Sequence, residues 1–194
     1  MELNPDNSAI KRRQPMHHIA AQITAGNAHY TLQEKAYGHL VIRASFDDKS
    51  FQTAIKSVTG LKLPTAALSS NENKEFCINW ISPDEVLLLV PEKTEFEVES
   101  KLRETMQGHF AIVNVTGGQT LLELSGERAE SILKKSSSYD IHPNNFPVGK
   151  VVTTVFAKSQ AIIRRTGENS FQLIVRRSFS DYLWKWIVDA GSRE

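Results

Sequence analysis

Two stretches of this chain follow one plan: a strand, a helix, a proline-containing loop, a short sheet and a second helix. Ser45 and Ser125 hold matching places at the end of the first strand. Leu63-Pro64 answers to His142-Pro143 in the loop, and Leu88-Leu89-Val90 to Leu173-Ile174-Val175 in a later strand. Such a unit buries one face of its sheet under its own helices. A duplicated β-α-β-β-α unit therefore specifies an α+β fold with helices packed on mainly antiparallel sheets. The halves cover residues 40–108 and 110–191 of a single domain, 36–194.

Local signals fill in the plan. Leu40 to Phe46 reads as a strand, and Asp47 or Asp48 then caps a helix with Phe51, Ile55 and Val58 on one side and Gly60 at its end. Glu75–Ile81 and Glu85–Val90 form a hairpin around Ser82-Pro83-Asp84. Thr94-x-x-Glu97 reads as a capping box for a helix with Val98, Leu102 and Met106 inward and Gly108 beyond its end. Gly117-Gly118 has the chemistry of a type I′ turn, which predicts a hairpin of Phe110–Thr116 with Gln119–Ser125. In that register Ala111, Val113, Val115, Thr120, Leu122 and Leu124 share the buried face. Ser125 is placed to cap a helix carrying Ala129, Ile132 and Leu133 inward. Val151–Ala157, Gln160–Thr166 and Ser170–Arg176 make a meander. Ser178-x-x-Asp181 caps a last helix ending before Gly191, with Phe179, Leu183, Trp186, Ile187 and Ala190 on its core stripe. Residues 1–35, broken by Pro5 and Pro15 and without apolar period, read as a flexible or partner-draped arm.

Composition narrows the functional classes. The 194 residues hold 23 Lys and Arg against 22 Asp and Glu, a net charge of +1, so the basic excess of a nucleic-acid binder is missing. Lys11-Arg12-Arg13 is too short a basic run to alter that, and His17-His18 lacks the helical spacing of a metal pair. The longest apolar run, Val86–Val90, is far below the roughly 20 residues of a membrane span, and the start has no apolar leader core. A cytoplasmic protein without nucleic-acid or membrane partners is expected. Cys77, in a strand-like run, reads as a small buried hydrophobe.

No catalytic set is visible. The six histidines form no HxH or HxxxH pair, and GxSxG, GxGxxG and GxxxxGKS are absent. Asp140-Ile141-His142-Pro143 brings an acid near a histidine with no nucleophile beside them, and reads as a structural loop. The chain is therefore expected to hold no catalytic residue, no cofactor-binding residue and no metal ligand.

A binding face is visible instead. The turn at 167–169 puts Ala161, Ile163, Phe171, Leu173 and Val175 on one side of a hairpin. Gln160, Ile162, Arg164, Gln172, Ile174 and Arg176 lie on the other. Trp184 and Val188 form an i, i+4 pair away from the core stripe of the last helix. Arginines framing isoleucines beside a tryptophan match the make-up of interface cores. These eight residues are the candidate partner interface, unless the arm or a second sheet of the same chain covers them.

Two runs carry a family resemblance. They are Leu122-x-Leu124-Ser125-Gly126-x-x-Ala129-x-x-Ile132-Leu133, continued by Tyr139-Asp140-Ile141-His142-Pro143-x-x-Phe146-Pro147-x-Gly149, and Ile163-x-Arg165-Thr166-Gly167-Glu168-x-x-Phe171-x-Leu173-x-Val175-Arg176-Arg177-Ser178-Phe179-x-x-Tyr182-Leu183-Trp184-x-Trp186. This pattern resembles the gamma subunit of heterotetrameric sarcosine oxidase. The departure is Ser136-Ser137-Ser138, where a less polar stretch is the family's habit. The resemblance implies the folate-binding fold of aminomethyltransferases in a subunit holding no cofactor itself. It implies alpha, beta and delta partners, alpha in direct contact, carrying NAD, tetrahydrofolate, FAD, FMN and zinc between them. The complex would be an oxidoreductase acting on CH-NH donors. It would convert sarcosine to glycine, with formaldehyde or methylene-tetrahydrofolate and hydrogen peroxide. Two alternatives accompany it: the equivalent subunit of an N-methylglutamate dehydrogenase, and a free-standing folate-binding aminomethyltransferase-like protein, of which one branch's KGCYxGQE-type motif is absent.

Overall fold

Asp48 follows a turn at 46–47 with its own backbone extended and accepts hydrogen bonds on its carboxylate from the Ser50 and Phe51 backbone N–H groups, which starts helix α1 (Lys49–Thr59). Those bonds, the Ser50 ones first, hold the Asp48 carboxyl below the usual carboxylate range. Gly60 closes the helix in left-handed backbone, its N–H on the Lys56 carbonyl. Before α1 lies strand β3 (Tyr37–Arg43), and after it β4 (Ser70–Glu72), β5 (Cys77–Ser82), β6 (Glu85–Pro91), helix α2 (Glu95–Thr105) and β7 (Ala111–Asn114). The second half repeats the plan with β8 (Gln119–Ser125), α3 (Ala129–Lys134), β9 (Val151–Phe156), β10 (Ser159–Gly167), β11 (Ser170–Arg176) and α4 (Arg177–Ser192). Strands β1 (Thr24–Asn27) and β2 (Tyr30–Lys35) come first. This computed structural model describes residues 24–192; the basic run at 11–13 and the histidines at 17–18 lie outside the described residues.

The duplication is explicit in the topology. One sheet runs β4-β5-β6-β3-β7 and the other β9-β10-β11-β8-β2-β1, so the first four strands of each correspond. Every pairing between these strands is antiparallel. Each sheet then takes its fifth strand from the lead-in of the other half. Strand β2 runs directly into β3 yet pairs with β8, and β7 runs into β8 yet pairs with β3.

That exchange corrects two sequence expectations. Residues 24–35 of the supposed arm are sheet strands, with Tyr30, Leu32 and Glu34 buried. The hairpin across Gly117-Gly118 does not form as a ladder. Gly117 turns in left-handed backbone (φ 82°) and the Gly118 N–H donates to Val115 C=O, but the two flanking strands join different sheets. The reason is burial. Thr120, Leu121, Leu122 and Leu124 are all buried, so β8 is apolar on both faces and belongs at the centre of the stack. Strand β7 buries Ile112 alone, leaves Ala111 exposed and Val113 52% exposed, and suits an edge; the expected shared face was wrong for these two residues.

Four layers result. Helices α1 and α2 cover Leu40, Ile42, Ile78, Val86, Leu88 and Ile112 of the five-stranded sheet. Helices α3 and α4 cover Leu32, Leu122, Leu124, Ile163, Phe171 and Leu173 of the six-stranded sheet. The inner faces meet through Cys77, Leu87 and Leu89 on one side and Leu121 and Ile174 on the other.

Three expected caps also differ. The Thr94 hydroxyl donates back to the Pro91 carbonyl and makes no cap bond into α2. Ser125 stays in β8, and α3 begins only after Arg128. Helix α4 starts at Arg177 with no loop after β11, so Ser178 lies inside it, and it runs through Gly191. Gly191 is there for space: a Cβ would sit 2.4 Å from the Tyr30 ring.

Candidate partner interface

The strand register bears on the eight residues first. Arg164 stands opposite Gln172 and Val151, Ile162 opposite Ile174 and Thr153, and Gln160 opposite Val155, all on the inner face of the six-stranded sheet. What covers that face changes along its length.

At one end the five-stranded sheet covers it. Arg164 is 2% exposed. Its Nε donates to Ser70 Oγ (2.8 Å), one terminal nitrogen donates to Gln172 Oε1 (3.1 Å), and the other pairs with Glu72 Oε1 (2.5 Å). Ser70 and Glu72 belong to β4 of the opposite sheet. Gln172 passes the chain on to Glu123, which meets Lys35 at 3.3 Å. Ile174 is buried in the inter-sheet core. Arg164 and Ile174 therefore bind the chain's own second sheet, Gln172 is buried beside Arg164, and their assignment to a partner surface is corrected.

Trp184 and Val188 are corrected as well. Trp184 is 1% exposed within the core under α4, and half-buried Val188 packs against that core. The stripe facing the sheet is Ser180, Leu183, Trp184, Ile187 and Gly191. Trp186 turns outward instead, 37% exposed, its indole N–H on Ser136 Oγ (2.8 Å), and Phe179 is exposed too. The helix is apolar at 183, 184, 186, 187 and 188, so its sequence alone does not fix its rotation; the direct β11–α4 junction does.

At the other end the same face is open. Gln160 and Arg176 are exposed and Ile162 is half-buried. Two residues the sequence reading missed join them: Thr153, and Val155, which is 57% exposed. The signal was present, since Val155 shares parity with Thr153 and Val151 across the tight turn from β9 to β10. Among the described residues Arg176 forms no ion pair, unlike Arg164 and Arg165.

Arg165 faces the helices and is spent on structure. It donates to the carbonyls of Ile141 and Phe146, pairs with Glu130 (3.1 Å) and lies 5.1 Å over the Phe171 ring. It thereby anchors the 140–147 loop, where Asp140 accepts from the His142 backbone N–H and the Asn145 amide. Those two bonds hold the Asp140 carboxyl below its ordinary range. Burial raises Glu130, but Lys134 and Arg165 outweigh it and the net shift is downward. Cys77 is buried and its thiol is pushed up to about 11, burial outweighing the nearby Arg164 charge. Among the described residues no group of three or more His, Cys, Asp or Glu is placed to hold a metal. A groove of about 530 Å³ between α1 and residues 62–65 has an apolar floor of Phe46, Leu63 and Pro64, with Lys56 and Lys62 on its rim. No histidine or thiol lines it.

With its two stacked repeats the chain has the aminomethyltransferase type of fold. Glycine cleavage system aminomethyltransferase T from Bartonella henselae matches with a TM-score of 0.65 at 12% identity, over 91% of this chain and 57% of that one. Within that class the chain belongs to the sarcosine oxidase, gamma subunit family, whose model matches residues 43–193. The sarcosine oxidase subunit gamma of Corynebacterium sp. (strain P-1) is 30% identical over 95% of this chain and 92% of its own length. A chain of the heterotetrameric sarcosine oxidase from Corynebacterium sp. U-96 matches with a TM-score of 0.83 at 30% identity, over 93% of this chain and 95% of that chain.

Proposed function

We propose that this chain is the non-catalytic gamma subunit of a heterotetrameric, flavin-dependent sarcosine oxidase. The observation that carries the reading is the end-to-end likeness, in sequence and in fold, to a chain of the Corynebacterium enzyme. The complex removes the N-methyl group of sarcosine oxidatively, and its flavins, NAD, tetrahydrofolate and zinc reside in the alpha, beta and delta subunits. Flavin supplies the two-electron chemistry when bound there.

This chain's part is to fold and to dock. A folate between its sheets does not fit the residues present: Leu87, Leu89, Leu121 and Ile174 close the inner faces on each other, and Arg164 already spends its donors on Ser70, Glu72 and Gln172. No reaction step is routed through the chain. The test is co-expression with alpha-, beta- and delta-like subunits of the same source. The expected result is a purified complex containing this chain that turns over sarcosine with release of hydrogen peroxide, while the chain alone is colourless and inactive. Flavin bound by the chain alone, or turnover of N-methylglutamate in preference to sarcosine, would overturn it.

A further inference from the structure

The uncovered end of the six-stranded sheet combines three properties. It is continuous: register sets Val155 of β9 beside Gln160 of β10 and Arg176 next on β11, before Gln119 of β8 passes under His39 of the opposite sheet. It is apolar where water reaches it, through Val155 and the half-buried Ile162. It is also cationic without compensation. Arg176, its chain neighbour Arg177 and Lys158 in the β9–β10 turn are exposed, and among the described residues none of them makes an ion pair. Exposed Arg43, Lys101, Arg103, Lys134 and Lys185 have carboxylate partners, and the exposed lysines without one, such as Lys49, Lys74 and Lys93, do not sit on an uncovered sheet face. The row also continues the inter-sheet core, because Ile162 packs against Ile174 and Leu121. A protein surface laid over it would carry on the packing that the five-stranded sheet leaves off.

We infer that this row is the docking surface for a partner subunit of the oxidase, one that meets Arg176 with a carboxylate and Val155 with an apolar side chain. The inference rests on the reading of the chain as a subunit. The charge imbalance selects an acidic partner surface, since a planar guanidinium that is weakly hydrated pairs well with a carboxylate on burial. The aliphatic row supplies the dry contact beside it.

The experiment is co-purification of the full complex with the wild-type chain, Arg176→Glu, Val155→Asp, and Lys74→Glu as an exposed control on the other half of the molecule. Wild-type and Lys74→Glu chains are expected to be retained equally. Arg176→Glu should weaken retention about 30-fold or more, with loss of the wild-type salt sensitivity. Val155→Asp should weaken it as well, most at low salt, where the added carboxylate repels the acidic partner surface. Both variants should melt within a degree or two of wild type, because neither residue is buried in the chain itself. Wild-type retention matched by both variants would overturn the surface and leave the subunit reading standing. A wild-type chain that fails to co-purify would overturn the subunit reading, and the surface with it. An isolated chain that dimerises through this row, with Arg176→Glu making it monomeric, would give the surface to a second copy and also overturn the inference.

Discussion

Arg164 of β10 and Glu72 of β4 pair at 2.5 Å across the boundary between the two sheets, the arginine almost wholly buried and the glutamate about half exposed. The asymmetry makes the two partners unequal. Replacing Glu72 by Gln strands a buried cation, whereas Arg164→Met fills the space and leaves a carboxylate that water can reach. Glu72→Gln should cost about 2–3 kcal/mol and Arg164→Met about 1 kcal/mol. Urea unfolding of both variants checks the order, and a larger loss for Arg164→Met contradicts it.

His39 gives the fold an acid-sensitive point. Its Nδ1 lies 2.9 Å from Gln119 Oε1, and its backbone N–H donates to Thr116, so it ties β3 to the connection entering β8. Burial holds the imidazole below its ordinary 6.5, the Gln119 bond offsetting only part. A base depressed in the folded state binds its proton more readily unfolded. The stabilisation is therefore complete above pH 6.5 and drains as pH falls below it, at no more than about 1.4 kcal/mol per pH unit. Melting curves between pH 7 and 5 should show this slope in wild type and a flatter one in His39→Gln.

Arg165→Lys keeps the charge and loses the fork. An ammonium cannot reach the Ile141 and Phe146 carbonyls and Glu130 together. The substitution should cost about 2–4 kcal/mol and open the 140–147 loop to protease before the rest of the chain. Limited proteolysis with mass-spectrometric mapping reads the site of the first cut.

Tyr30 links the first strands to the last helix. Gly191→Ala drives a methyl into its ring and should destabilise by about 1–3 kcal/mol. Removal of residues 1–35 takes away β1 and β2, with Tyr30 and Leu32 of the core, and should abolish cooperative thermal unfolding. A truncated chain that still melts sharply would show that β2 is dispensable.

Features set within a few residues were legible before the fold was known. Asp48, Phe51, Ile55 and Gly60 define α1 by side-chain chemistry and spacing alone, and the β9–β10–β11 meander follows from its turns. Pairing at a distance was not. Nothing near Gly117-Gly118 states that β7 belongs with β3, because that choice is made by β8 being apolar on both faces and by β2 arriving from the far end of the chain. The candidate interface shows the same division. Parity placed Arg164 and Arg176 on one face correctly, but which of them the opposite sheet would cover depended on how far that sheet extends. Trp184 and Trp186 were interchanged because the rotation of α4 is inherited from β11.

The trade of lead-in strands makes each repeat's sheet incomplete by itself. Cutting the polypeptide between α2 and β7, at residues 107–109, would yield two pieces that each hold a strand the other lacks. Expressed together they would reassemble as a noncovalent pair by returning those strands. A half-length ancestor built on this plan would have stood only as a homodimer, with tandem fusion later making the exchange intramolecular and freeing the two sheets to diverge: one to gain β1 at its edge, the other to end on β7.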